Sequence, residues 1–460
     1  MHRYIGDRAF YRRMLAVVLP LIIQNSITNF VSLLDNIMVG QVGTVQMSGV
    51  AIVNQLLFVF NLTVFGAISG AGIFTAQFFG SQNHEGIRHT FRFKVLVSLL
   101  LSAAGIGIFL LGGDMLIGLY LQGDGEVENA AQTLAHGLEY LRIMLFGLPA
   151  FTLSTAYAST IRESGEAKVP MVASTCAVLV NLVLNYVLIF GHLGLEPMGV
   201  RGAAVATVVS RYVELVIVAS WTHANAQKQP FIVGAYRSLR IPKQLLQNII
   251  RKGMPLLVNE FLWASGTAMM NQCYSTRGLD VVPALNISAT MYNLASVVFL
   301  SMGNCVGIII GQMLGAGKSE EEIRDTDRKL IAISVVSCVG FGALMAALSG
   351  VFPLLYNTSD DVRSLASMLI CICAVMIPFN AYTNAAYFTL RSGGKTLVTF
   401  LFDSCFVWVF CVPLGLCLCR FTNIGILPLY AICQATDLVK CAIGAYMIKS
   451  GSWIQTLVSK

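Results

Sequence analysis

Gly72-Ile73-Phe74-Thr75-Ala76-Gln77-Phe78-Phe79-Gly80 closes one long apolar run, and Gly307-Ile308-Ile309-Ile310-Gly311-Gln312-Met313-Leu314-Gly315 closes another, 235 residues later. The flanking glycines, the isoleucine and the glutamine coincide in the two stretches. The same offset of 235 aligns Pro20-Leu21 with Pro255-Leu256, Asn36 with Asn271 and Gly43 with Gly278. A single shift that holds across separated segments marks an internal duplication. Further along, Pro149 aligns with Pro378, Arg162 with Arg391 and Gly165 with Gly394 at an offset of 229, the change reflecting short insertions or deletions in loops.

Composition says what kind of chain was duplicated. Of 460 residues, 56% are hydrophobic and 12% charged, and the mean hydropathy is +0.72. Soluble domains are about one-quarter charged, so this chain cannot clothe its surface against water. Soluble enzymes, nucleic-acid readers and disordered tails are excluded, and the expected surroundings are membrane lipid, with no nucleic-acid partner. The formal charge of +7, from 30 Lys and Arg against 23 Asp and Glu, is therefore a topology signal. The twelve cysteines include no CxxC pair and lie almost entirely in apolar runs, which reads as packing rather than metal binding or disulfides. The arginines at 3, 8, 12 and 13 precede an apolar stretch longer than a signal-peptide core, so a first spanning helix is expected there.

A hydrocarbon core needs about 20 helical residues per crossing, and twelve such windows can be marked: Met14–Gly40, Val50–Phe79, Val95–Leu121, Leu134–Tyr157, Val169–Phe190, Gly199–Trp221, Ile249–Cys273, Val281–Leu314, Leu330–Leu355, Val362–Leu390, Leu397–Cys419 and Ile424–Met447. The second and eighth are too long to stand upright, so tilt or a bend is expected. Basic residues fall in alternate connections. One side collects the N-terminal arginines, then Arg88, Arg92 and Lys94, Arg162 and Lys168, a group from Lys228 to Lys252, Lys318 to Lys329, and Arg391 with Lys395; the other has Arg201, Arg277, Arg363 and Arg420. The positive-inside rule places both termini in the cytoplasm. The expected fold is an all-α polytopic membrane protein, with a six-helix lobe over residues 1–221, a cytoplasmic connection over 222–248 and a second six-helix lobe over 249–460. Six spans per copy make the repeats parallel, with a substrate path between lobes.

No HExxH, GxSxG or GxxxxGK[ST] occurs, so neither enzyme chemistry nor an ATP site of its own is expected, and transport would draw on an ion gradient or a partner. Several stretches carry a family resemblance: Leu34-Asp35-Asn36-Ile37-Met38-Val39-Gly40, the run Gly72 to Gly80, Asn181-Leu182-Val183-Leu184-Asn185-Tyr186, Gly199-Val200-Arg201-Gly202-Ala203-Ala204-Val205-Ala206-Thr207, and Gly311-Gln312-Met313-Leu314-Gly315-Ala316-Gly317-Lys318. In this order and spacing they resemble the multidrug and toxic compound extrusion (MATE) family over essentially the whole chain.

An ionisable group in hydrocarbon costs about 2.5–3.5 kcal/mol on insertion scales, so deep acids are functional candidates. Asp35 lies about five residues from the outer end of span 1, roughly 8 Å deep at 1.5 Å per residue. Its repeat equivalent is Met270, so the fold of a lobe does not require the carboxylate. Asn181 and Asn185, four apart, share one face of span 5, and Thr207 opens span 6; clustered oxygens of this kind suit a hard cation. The resemblance implies a cation site at Asp35, Asn181, Asn185 and Thr207, for Na⁺ or H⁺. Several proton-coupled relatives have a second carboxylate where this chain has Asn185. The alternative is a buried Asp that only holds spans 1, 5 and 6 together.

Glu260, about eleven residues into span 7, aligns with Asn25. It binds a cationic substrate, carries a proton, or pairs with a polar neighbour such as Asn259. Some relatives carry acids in spans 7 and 10; the nearest span 10 position here is Asn380, and Glu260 with Asn380 forms the candidate substrate or second ion site. Asp403 is expected to pair locally, for instance with Lys395, and the pairs Arg211–Glu214 and Asp437–Lys440 are expected on single helices.

The combined reading is a secondary transporter of the plasma, or bacterial inner, membrane that exports organic cations or amphipathic drugs against Na⁺ or H⁺, without further cofactors and as a monomer. Flipping of lipids or lipid-linked sugars is the alternative, and it would call for a cationic cavity; a channel or scaffold fits the repeat less well. The charge bias makes one direct prediction. In a background without exposed native cysteines, Ser238→Cys reacts with impermeant thiol reagents only from the cytoplasmic side, and labelling of intact cells from outside would overturn the topology.

Overall fold

The computed structural model describes residues 4–120, 127–278, 280–356 and 358–458, and among them the chain is helical with no strand. The helices are α1 (Arg8–Gly40), α2 (Thr44–Gly80), α3 (His84–Tyr120), α4 (Val127–Met144), α5 (Leu148–Glu163), α6 (Lys168–Phe190), α7 (Val200–Ala224), α8 (Lys243–Ser275), α9 (Val281–Gly315), α10 (Glu320–Leu348), α11 (Asp360–Ser392), α12 (Thr396–Phe400), α13 (Val412–Phe421) and α14 (Ile426–Ser450). Among the described residues 11 helical runs are long and apolar enough to cross a membrane, with α4–α5 and α12–α13 each counted as one run. The twelfth long helix is α8, whose 33 residues include Lys243, Arg251, Lys252, Asn259 and Glu260. The all-helical architecture and close to twelve spans follow the sequence expectation.

Helix ends differ from the apolar windows in a consistent way. Helix α3 begins at His84 rather than Val95, so Arg88, Arg92 and Lys94 are helical rather than in a loop, and Arg324, Arg328 and Lys329 lie inside α10. Hydropathy detects only the lipid-facing part of a helix, whereas backbone hydrogen bonding carries it on into the polar zone. Caps mark the true ends: Ser319 accepts from the Glu322 amide, Ser359 accepts from the Val362 amide, and α6 stops at Gly191 with φ of 75°. The run from α12 to α13 is joined by π-helical turns over Leu401–Cys405 and Val407–Cys411.

The chain forms two compact units, Met1–Ile22 with Ala76–Asn83 and Asn248–Lys460, and Ile23–Thr75 with His84–Gln247. The passage from one to the other in α1 falls two residues after Pro20, an interior proline that removes a helix hydrogen bond. In the second of these units, α6 packs along α7 and α3 along α5, around a core that includes Val53, Val64, Ile117, Ala156 and Ala204. Gly202 lets the start of α7 approach the Leu188 carbonyl of α6 closely. In the first unit α11 packs against both α9 and α10, around Ala284, Cys338, Ala366, Leu369 and Ile377. All 12 cysteines are free thiols.

Also within the first unit, the ends of α2 and α9 cross at repeat-related residues. A Cβ on Gly80 would overlap the Gln312 carbonyl, and a Cβ on Gly315 would overlap the Gln77 carbonyl. The two glutamine side chains tie the chain ends to this crossing. Gln77 Nε2 donates to the Ser392 carbonyl at 3.0 Å and Gln77 Oε1 accepts from the Leu457 amide at 2.7 Å, while Arg13 donates to Gln312 Oε1 at 3.2 Å. Arg13, near the start of α1, and Leu457, beyond the end of α14, are thus both held at this crossing. Gly80→Ala should destabilise the protein by about 1–3 kcal/mol through overpacking, whereas Gly107→Ala, where the added methyl meets nothing within 4 Å, should not. Thermal unfolding of the two variants in one detergent checks this, and equal stability would show that the crossing tolerates a side chain.

Candidate functional site

Asp35 on α1, Asn181 and Asn185 on α6 and Thr207 on α7 come together in one unit, as the sequence reading requires of a shared site. The α-helical spacing of 181 and 185 puts both amides on the face turned toward α1 and α7. Asn185 Nδ2 donates to Asp35 Oδ1 at 2.6 Å and to Asn181 Oδ1 at 3.2 Å, and Asn181 Nδ2 donates to Thr207 Oγ1 at 3.3 Å. With the Asn181 amide turned over, its Nδ2 instead donates to both Asp35 oxygens at 3.0 Å and its Oδ1 accepts from Thr207 at 3.3 Å. Both asparagines are buried. The set can thus offer the carboxylate either amide N–H donors or amide oxygens beside it.

Asn185 Oδ1 is buried without a hydrogen-bond partner. A buried acceptor left open beside a carboxylate, a hydroxyl and a second amide oxygen fits a hard cation, so Asp35, Asn181, Asn185 and Thr207 are the residues that would hold one. Two further groups lie in the field of Asp35, Tyr140 on α4 and Arg211 on α7. Tyr140 donates to Asn54 Oδ1 on α2 at 3.3 Å. Arg211 pairs with Glu214 at 3.6 Å, as expected, and its guanidinium stacks over Phe151 at 5.0 Å. Tyr140 and Asn54 carried no sequence signal, because a tyrosine or asparagine in an apolar helix has no spacing that points to a partner on another helix.

Other buried polar groups in the same unit also close on themselves. Lys94 of α3 is fully buried and donates to Glu163 Oε2 at 2.5 Å and Ser159 Oγ at 3.1 Å on α5. In the other unit, Glu260 is near Arg391 and Asp403, and Asn380 donates to the Tyr292 hydroxyl at 3.1 Å. Asp403 corrects the expectation of a local pair. Its partner is Lys440 of α14, at 2.8 Å, and its second oxygen accepts from Asn259 Nδ2 at 3.1 Å. Lys440 accordingly reaches across to α12–α13 rather than pairing along its own helix with Asp437. A one-helix spacing rule cannot see such a partner. The same Asn259 accepts from the Ser404 amide at 3.3 Å and the Ser404 hydroxyl at 2.7 Å, within the π-helical turn. A side chain that takes up a backbone N–H is a physical reason for the ladder to widen there.

With this geometry in place, comparison with known proteins decides the family. The MatE family model matches residues 20–187 and again residues 255–419. The chain belongs to the MatE family. The two matches begin 235 residues apart, at the offset of the internal repeat. This MATE chain is 22% identical, over 96% of its length and 93% of the relative's, to a probable multidrug resistance protein NorM of Thermotoga maritima. It is 24% identical, over 90% of each chain, to a probable multidrug resistance protein NorM of Bacillus subtilis. Its fold matches the outward-facing conformation of a multidrug resistance MATE family transporter of the MOP superfamily, with a TM-score of 0.84, 18% identity and 98% of both chains covered. A MOP superfamily transporter from Pyrococcus furiosus, described as having a binding pocket of reverse polarity, matches with a TM-score of 0.85, 18% identity and the same coverage. The chain is an integral membrane protein of a family of multidrug transporters.

The Asp403–Lys440 pair yields a stability prediction for this MATE chain. Lys440→Met leaves the partly buried Asp403 carboxylate without its countercharge and should cost at most about 3–5 kcal/mol, the range for fully buried pairs, whereas Lys440→Met with Asp403→Leu should recover most of the loss. Thermal unfolding of the single and double variants checks the coupling, and additive losses would contradict it.

Proposed function

We propose that the chain exports organic cations or other amphipathic compounds across the plasma membrane, with both termini in the cytoplasm, in antiport with Na⁺ or H⁺. The observation that carries this reading is the Asp35 carboxylate, placed among Asn181, Asn185 and Thr207 inside a MATE-type helical membrane protein. A carboxylate there can hold a proton or stand beside a bound cation, and the two occupants compete for it. A neutral asparagine, hydroxyl or methionine cannot exchange charge with a gradient in this way. Transport rather than catalysis is supported by the names of the relatives and by the nature of the site, which offers ion ligands.

Coupling then follows from differential affinity. An ion that binds the substrate-released state more tightly shifts the population toward it, and ion release on the other side resets the transporter. Alternating access of the two repeats of a monomer is the conformational change this requires. Glu260, with Asn380, is the proposed second site, for a cationic substrate or a second ion. Its neighbours Arg391 and Asp403 make that region electrically mixed, which favours selectivity among cations over the bare attraction of a single acid.

Asp35→Asn keeps the size and much of the hydrogen bonding but removes the one carboxylate of the cluster. In proteoliposomes with Na⁺ and H⁺ gradients imposed separately, the variant should bind substrate and show no gradient-driven export. Wild-type levels of uphill export by folded Asp35→Asn would overturn the coupling assignment.

A further inference from the structure

A cavity of about 710 Å³ lies in the unit that contains α10, α11 and α14, away from the Asp35 cluster. Its lining divides by chemistry along the helix axes. Arg324 and Arg328, in the first three turns of α10, and Lys449, one residue from the end of α14, make one end cationic. Beyond them, Ile331, Val335 and Val336 of α10 continue as an apolar wall. At 1.5 Å per residue, Val335 stands about 10 Å further along α10 than Arg328. The cations therefore sit at the membrane boundary and the apolar wall runs into the hydrocarbon.

Arg324 is already engaged, donating to Glu320 Oε1 at 2.9 Å and to the Lys449 carbonyl at 3.0 Å. Among the described residues, the side chains of Arg328 and Lys449 have no hydrogen-bond or salt-bridge partner. One carboxylate, Asp327, also lines the cavity, but it is buried and accepts from the Thr389 hydroxyl of α11 at 2.6 Å. With Arg324 neutralised by Glu320, Arg328 and Lys449 against Asp327 still leave the mouth net positive. Three amphipathic rings, Tyr4, Tyr382 and Trp453, also line it, and the Trp453 indole donates to the Ile448 carbonyl at 3.1 Å. Rings of this type settle at headgroup depth.

We propose that this cavity binds an anionic phospholipid from the leaflet on the side of the chain termini, its phosphate between Arg328 and Lys449 and an acyl chain along Ile331 and Val335. Charge complementarity selects the occupant. A positive mouth above an apolar wall matches an anionic headgroup above its acyl chain, as basic pockets between membrane helices do generally. A cationic amphiphile would meet unpaired Arg328 and Lys449, and free phosphate would leave the apolar wall exposed.

The test uses the purified full chain in neutral detergent, titrated with phosphatidylglycerol, phosphatidylcholine, inorganic phosphate or tetraphenylphosphonium, and read by native mass spectrometry and thermal unfolding. Phosphatidylglycerol should remain bound and raise the melting temperature, and the other three should not do so through this cavity. Arg328→Gln with Lys449→Gln should weaken phosphatidylglycerol binding at least five-fold. Ala332→Trp, which keeps every charge but fills the apolar part, should weaken it comparably and separates acyl binding from headgroup binding. If the double variant fails to fold, Lys449→Gln alone, at an exposed position, and Ala332→Trp provide the readout. Unchanged phosphatidylglycerol binding in the folded variants would overturn the proposal, as would equal retention of phosphatidylcholine, stabilisation by phosphate alone, or tetraphenylphosphonium binding that Ala332→Trp abolishes.

Discussion

Hydrocarbon accepts no hydrogen bond, so every polar group placed within it must be satisfied by the protein itself. The backbone obeys by being helical among all the described elements that cross. Polar side chains obey by finding one another across helices: Asp35 with the amides of α6, and Asp403 with Lys440 and Asn259. Each set draws on at least two helices, so each both consumes its own polarity and holds helices in register. Among the buried polar atoms that stay open, Oδ1 of Asn185 lies in the Asp35 cluster and Oδ1 of Asn380 lies at the proposed second site.

Duplication explains where the framework is symmetric and where it is not. Gly80 and Gly315, with Gln77 and Gln312, are repeat partners that meet each other at the crossing of α2 and α9. A close helix crossing admits only hydrogen at the contact, so both copies must have glycine there. Chemistry, by contrast, sits where the copies have diverged. Asp35 faces Met270 in the alignment, and Glu163 faces Ser392. Packing constraints apply to each copy alike, whereas a charged group has a use only in the copy that builds a polar shell around it.

The π-helical turns of the run between α12 and α13 show how one side chain can reshape a span. Asn259 bonds both the amide and the hydroxyl of Ser404 and also donates to Asp403. The local widening, the Asp403–Lys440 pair and the neighbourhood of Glu260 are thus parts of one polar assembly. A substitution at Asn259 would act on all of them together, since partners in a shared network do not contribute independently.

Much of the protein was legible in its residues alone. Hydropathy places the spans because lipid imposes the same requirement on every crossing segment, and the offset of 235 exposes the repeat because copies of one fold keep the same glycines and prolines. The cluster of Asp35, Asn181, Asn185 and Thr207 was legible as well, since residues 181 and 185 share a helix face and a lone acid in apolar surroundings stands out. Helix ends were not, because hydropathy stops at the lipid boundary and backbone hydrogen bonding does not. Nor were the partners of Asp403, the presence of Tyr140 and Asn54 beside the site, or the basic-mouthed cavity at Arg328 and Lys449. Those depend on which helices become neighbours and how each is rotated about its axis, and only the packing of all of them together decides that.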